Sequence, residues 1–125
     1  METLQGYVIV FFGAGLGAMM RHAVNRIALA LGSAFPWNTL AINVTGSLVM
    51  GLIAGWFAFK GESGQHLRLF LTTGILGGYT TFSTFSLDAA LLWERGQERA
   101  AAAYVAASVT ASLIGVFAGL AMMRR

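Results

Sequence analysis

Four long uncharged runs occupy most of this chain and constrain its fold more than any other feature. They contain 18, 23, 19 and 24 residues and cover positions 3–20, 37–59, 69–87 and 100–123. A helix needs roughly 20 apolar residues to cross the core of a bilayer. Only 10% of the residues are charged, whereas 57% are hydrophobic, which is far from the composition of a soluble domain. The sequence therefore predicts an all-α integral membrane protein with a single domain, 1–125, and four transmembrane helices at approximately 4–31, 37–59, 67–93 and 99–123.

The basic residues favour neither orientation of such a bundle. Of the 8 Lys and Arg residues, 4 fall on each side of the membrane, so the positive-inside rule has no bias to act on. We therefore predict that the chain inserts both ways and forms an antiparallel, dual-topology homodimer about a two-fold axis in the membrane plane. The alternative is an ordinary oriented protein, in which Arg21 and Arg26 lie within a long first helix and are not loop charges.

Each uncharged region also holds two glycines four residues apart. Small residues at this spacing allow helix backbones to approach closely in lipid. The pattern favours a compact bundle with contacts at Gly13 and Gly17, Gly51 and Gly55, Gly74 and Gly78, and Gly115 and Gly119.

Polar side chains recur along one side of the second and fourth predicted helices. Thr39 and Asn43 are four residues apart, as are Tyr104, Ser108 and Ser112, so each set shares a helix face. A polar group in hydrocarbon needs a partner, a cavity or a ligand. Hydrogen bonding between helices and the binding of a permeating ion both remain open for these residues.

The third predicted helix contains the unusual stretch GGYTTFSTF at 77–85. Phe82 and Phe85 are three residues apart and lie on one side of a helix, which is ordinarily a sign of core packing. The edge of an aromatic ring is partly positive, however, so these rings, together with Asn43 and the hydroxyl groups, would also suit a path for a small anion. Gly77 and Gly78, followed by the β-branched Thr80 and Thr81, predict a break in this helix, whose free carbonyl groups would suit a cation.

Two charged residues lie close to these positions. Arg21 ends the first uncharged run and either reaches towards the lipid headgroups or lines a vestibule that attracts anions. Asp88 follows Phe85 by one turn and either lies at the mouth of a pore or caps a polar helix end. We find no nucleophile with a base, no phosphate loop and no metal-ligand motif, and therefore predict that the protein is not an enzyme.

Three stretches of the sequence resemble the CrcB/Fluc family of fluoride channels, which are small bacterial membrane proteins with four helices. They are GAGLGAMMRH at 13–22, PWNTLAINVTGSLVMG at 36–51 and GGYTTFSTFS at 77–86. The first departs from the family pattern at His22, where an aromatic residue is usual. The second departs from it at Asn38, where glycine is common, and the third matches the family signature throughout.

The resemblance implies passive export of fluoride, with selectivity against chloride, through two pores of an antiparallel homodimer in the lipid of the bacterial inner membrane. It implies that Asn43 lies in the pore, with Phe82 and Phe85 as a ladder of rings. A polar track would comprise Thr39, Tyr104, Ser108 and Ser112, with Ser83 and Thr84 as further pore-lining candidates. It also implies a structural sodium ion, and no organic cofactor, with backbone carbonyls of Gly77 and Thr80 from both subunits as its ligands.

Two other functional classes fit a short four-helix membrane protein. A small multidrug exporter would have similar length and topology, but proton-coupled export needs a carboxylate deep in the membrane. The first predicted helix, 4–31, contains no acidic residue, and Glu2 lies just before it. A membrane scaffold that transports nothing would use the polar stripes for packing alone, and it predicts no ion flux.

Overall fold

The fold is described by a computed structural model for residues 2–61 and 64–125. Within these ranges the chain forms helices joined by short turns and contains no β-strand. The helical elements are α1 (Glu2–Leu31), α2 (Trp37–Phe59), α3 (Gln65–Leu69), a π-helical segment (Phe70–Leu76), α4 (Gly77–Tyr79), α5 (Ser83–Glu94) and α6 (Glu98–Arg124). The protein is therefore all-α over the part of the chain that is described.

Three of these helices are long and apolar enough to cross a membrane. They are α1, α2 and α6, with 30, 23 and 27 residues. The predicted third helix, 67–93, is not one continuous helix, because the chain there is divided among α3, the π-helical segment, α4 and α5. We call the whole stretch 65–94 the divided segment.

The helices pack as two close pairs at the glycines that the sequence pattern indicated. On one side α2 meets α6, where a Cβ added to Gly119 would lie 2.6 Å from the Leu52 nitrogen. On the other side α1 meets the divided segment, where a Cβ on Gly13 would lie 2.8 Å from the Gly74 Cα. Such approaches leave no room for a side chain, so the backbones are in direct contact at both interfaces.

The divided segment is interrupted at 80–82, between α4 and α5. The chain leaves helical geometry at Thr80, whose φ of −85° and ψ of 161° are those of extended backbone. Gly77 and Gly78 themselves are helical, and a Cβ added to Gly78 would lie 2.9 Å from the Ala14 Cα. The predicted break is thus present and lies at the threonines, while Gly78 serves the close packing of α1.

A small buried cluster connects α5 to α6 next to this break. It contains Phe85, Leu92, Ala101 and Tyr104. Many large apolar side chains elsewhere are exposed, including Phe11 at 72% and Phe117 at 68%, as expected where the surroundings are lipid instead of water. The buried cluster lies directly beside the cavity described below.

Candidate functional site

A cavity of about 370 Å³ lies between α2, α6 and the break in the divided segment. Its apolar wall includes Met50, Val109 and Val116. Six of the residues that the sequence or the family resemblance singled out line the same cavity, namely Asn43, Thr80, Phe82, Phe85, Ser108 and Ser112. Residues that are far apart in the sequence therefore meet at one site.

Asn43 holds the broken backbone in place. Its Nδ2 donates to the Thr81 carbonyl at 2.9 Å, and its Oδ1 accepts the Thr81 N–H at 2.9 Å. In a continuous helix the Thr81 N–H would bond to the carbonyl of Gly77, so the side chain takes the place of a lost helical partner. An amide nitrogen carries two hydrogens, so the second one is not used by the bond to the Thr81 carbonyl.

The aromatic rings form a column that is longer than the sequence suggested. The centroids of Phe82 and Phe85 are 5.6 Å apart, and those of Phe85 and Tyr104 are 5.2 Å apart. Phe35 continues the column, because its ring meets Tyr104 edge to face at 5.5 Å and 88°. Sequence reasoning missed Phe35, which lies in the turn before α2. Its position directly before the stretch at 36–51, which had been singled out, was the available signal.

Ser108 brings an unsatisfied hydroxyl group to the wall of the cavity. The residue is 4% exposed, and its Oγ finds no hydrogen-bond partner among the described residues. Leaving a buried hydroxyl group unsatisfied costs about 1–3 kcal/mol. Ser112, one turn further along α6, lines the same cavity, so two serines of α6 contribute to its wall.

Thr39 and Tyr104 lie beside the cavity and do not line it. They are 1% and 0% exposed. The Tyr104 hydroxyl donates to Asp88 Oδ2 at 3.1 Å. Neither role considered for Asp88 included this contact, which ties α5 to α6.

Ser83 and Thr84 begin α5 and do not line the cavity. The backbone N–H of Thr84 donates to Thr81 Oγ1 at 3.2 Å, as in the hydroxyl caps of helix starts. Ser83 is exposed on the surface of the chain. Their assignment to an ion pathway stays a prediction.

Arg21 is half-buried and reaches towards the break. Its Nε donates to the Gly78 carbonyl at 3.1 Å, so the side chain links α1 to α4. The two alternatives drawn from the sequence, a headgroup contact and a vestibule, did not include this bond. The positively charged guanidinium group is therefore bonded to the backbone of α4, directly before the break.

The break also releases carbonyl oxygens of the kind that bind alkali cations. Because the Thr81 N–H is bonded to Asn43, the Gly77 carbonyl lacks the donor that a continuous helix would supply, and Gly77 is exposed. No group of three or more His, Cys, Asp or Glu side chains that could hold a metal ion occurs in 2–61 or 64–125. The assignment of the Gly77 and Thr80 backbone oxygens to a cation site stays a prediction.

Comparison with known proteins shows which family and which relatives this chain is similar to. The family described as "CrcB-like protein, Camphor Resistance (CrcB)" matches residues 8–120. A "Fluoride-specific ion channel FluC" of Rhodopseudomonas palustris (strain BisB5) is 66% identical over 119 residues, which cover 94% of this chain and 96% of that protein. "Fluoride-specific ion channel FluC 2" of Nitrobacter hamburgensis is 60% identical over the same shares of the two chains. A "Fluoride-specific ion channel FluC" of Methylobacterium nodulans is 59% identical over 94% of this chain and 95% of its own length.

Proposed function

Because this chain belongs to the CrcB family, we propose that it is a fluoride-selective channel that lets fluoride leave the cell passively. The relatives described above are named fluoride-specific ion channels. Family membership thus puts the chain among ion channels and not among enzymes. Its long apolar helices make it a multi-pass membrane protein, and we propose the bacterial inner membrane as its location.

The observation that carries this proposal is the unpartnered Ser108 hydroxyl group in a cavity bordered by phenylalanine rings. A small anion loses a large hydration energy when it leaves water, and hydrogen-bond donors can offset part of that loss. Ser108, Ser112 and the free amide hydrogen of Asn43 supply such donors. The edges of Phe82 and Phe85 add partial positive charge without a fixed cation that would trap the ion.

The rest of the route follows the neighbouring polar residues. We propose that Thr39 and Tyr104 continue the track beyond Ser108, while Ser83 and Thr84 lie along its outer part. Arg21 would raise the local concentration of anions near the break, because a positive charge in a confined region attracts them.

The channel would be a dimer of two oppositely inserted copies. Phe82 is 77% exposed although it lines the cavity, so the cavity is open on one side of the single chain. A second copy related by a two-fold axis would close it and create an equivalent pore from the other cavity. In this arrangement the divided segment supplies the fourth crossing of the membrane, and the remaining exposed apolar faces contact lipid.

A structural sodium ion would sit at the break. We propose that the carbonyls of Gly77 and Thr80 from both subunits hold it, which the loss of the helical donor to Gly77 supports. When bound, the ion would offset the repulsion between carbonyl dipoles that face one another. Exchange of sodium for a larger cation throughout purification should then lower fluoride flux and weaken the dimer.

Flux measurements on purified protein in liposomes test the function. A fluoride electrode should record rapid efflux, while a potassium ionophore carries the balancing charge and a chloride electrode records little flux. An exporter of the small multidrug type would need a proton gradient, and a scaffold would show no flux. If folded, monodisperse protein gave no fluoride efflux, the channel proposal would be overturned.

A further inference from the structure

One helix contacts three consecutive residues at the break. Asn43 of α2 bonds to Thr81, as described above, and the Thr45 hydroxyl lies 2.9 Å from the Tyr79 hydroxyl. Gly46, on the same helix, faces Thr80 and has no side chain of its own. The position of the break relative to α2 is therefore determined by a segment of α2 about one turn long.

Gly46 leaves a notch that the methyl group of Thr80 fills. A Cβ added at Gly46 would overlap Thr80 Cγ2 and would lie 3.3 Å from Tyr79 Cδ2. Gly46 is helical, so conformational freedom does not explain a glycine there. The contact with Thr80 explains the glycine, because the side chain of any other residue at position 46 would push the break away from α2.

The Thr80 side chain has little freedom to avoid such a push. Its Oγ1 donates to the Leu76 carbonyl at 2.9 Å, and a β-branched side chain is stiff about χ1. Its methyl group therefore points into the notch while the hydroxyl group is bonded to the preceding turn. Thr80 is also the residue at which the backbone turns from helical to extended geometry.

We propose that Gly46 is a positioning residue of the channel: by receiving the Thr80 methyl group, it sets where the break lies and how the Phe82 ring and the Thr80 carbonyl are directed. This inference rests on the proposed function, since it concerns the geometry of the same pore. An added methyl at Gly46 would separate α2 from the break and stretch both hydrogen bonds between Asn43 and Thr81.

The test compares Gly46→Ala in two backgrounds, the wild-type protein and the Thr80→Ser variant. Gly46→Ala should lower fluoride efflux at least about tenfold, since overpacking by one methyl group displaces well-packed neighbours. Thr80→Ser removes the Cγ2 atom that the alanine would strike and keeps the hydroxyl group. In the Thr80→Ser background, adding Gly46→Ala should therefore change efflux by less than about twofold, as expected for two residues that interact directly.

A matched control is available in α1. Gly15 has no other group within 4 Å of an added Cβ, so Gly15→Ala should leave efflux unchanged. If Gly46→Ala lowered efflux equally in both backgrounds, the methyl group would act by obstructing the cavity and the inference would be overturned. Wild-type efflux from Gly46→Ala would overturn it too.

Hydrogen exchange at the Thr81 amide separates this inference from the proposed function. Gly46→Ala should accelerate that exchange at least about tenfold, because the bond to Asn43 opens more often, and Thr80→Ser should restore slow exchange. These exchange rates would support the inference even if the wild-type protein carried no fluoride. Absence of fluoride efflux would overturn the proposed channel function and leave the inference intact. Unchanged exchange in Gly46→Ala would overturn the inference while the channel stands.

Discussion

Asn43 satisfies both backbone groups of Thr81, a residue 38 positions away, through one donated and one accepted hydrogen bond of 2.9 Å each. The pair joins α2 to the point where the divided segment stops being helical. It therefore supports the broken backbone and lines the cavity with the same side chain.

This relationship predicts that Asn43→Asp is damaging in two ways. The aspartate can still accept the Thr81 N–H, but it cannot donate to the Thr81 carbonyl, and its charge repels an anion. We expect fluoride efflux to fall by at least about a hundredfold, and the stability to fall by about 1–3 kcal/mol for the unsatisfied carbonyl group. Efflux and thermal denaturation of the same preparation measure the two effects. An unchanged melting temperature would contradict the role of Asn43 in holding the broken backbone.

Replacing Phe82 and replacing Phe85 should affect the stability of the chain to different extents but should lower fluoride efflux in the same way. Phe85 is 9% exposed and Phe82 is 77% exposed, so Phe85→Ile should destabilise the chain by about 1–2 kcal/mol through poorer packing, and Phe82→Ile by much less. Both substitutions remove the positive ring edge and should suppress efflux while the dimer persists. Efflux at the wild-type rate in both variants would remove the rings from the mechanism.

Ser108→Ala should change stability and flux in opposite directions. Without a bound ion, the Ser108 hydroxyl group is buried and unpartnered, so its removal should raise the free energy of unfolding in fluoride-free buffer by about 1 kcal/mol. Efflux should fall, because one donor to the anion is lost. Ser86→Ala is a suitable control, since Ser86 Oγ is exposed and bonds to the Phe82 carbonyl at 3.0 Å. A loss of stability in Ser108→Ala would argue against a hydroxyl group held for a ligand.

The even distribution of basic residues predicts that orientation is easily shifted. Two lysines added at either terminus should enrich one inserted orientation, because K/R bias near the ends of membrane helices sets topology. Labelling of a single introduced cysteine from each side of the membrane measures the ratio, and two further serines at the same terminus serve as the control. Orientation ratios that ignored the added lysines would contradict dual topology.

Much of the fold was accessible from local pattern. Three of the four uncharged runs correspond to helices of membrane-spanning length, because hydropathy and helix length are properties of a single segment. The glycine pairs can also be read within a single segment, and they marked the positions of the two close interfaces. The third run was different: its break was predicted from Gly77 and Gly78 with the threonines that follow, and it lies at 80–82, where contacts with α2 hold the backbone.

The sequence by itself determined that this is an all-α membrane protein of the CrcB family, with polar side chains and rings concentrated in a few segments. The tertiary structure decided how those groups are used. Arg21 reaches Gly78 across 57 positions, and Phe35 extends the aromatic column from a turn that no helix pattern describes. Such contacts depend on the register between packed helices, which arises only when the backbones meet at their glycines, so no periodicity within one segment can specify them.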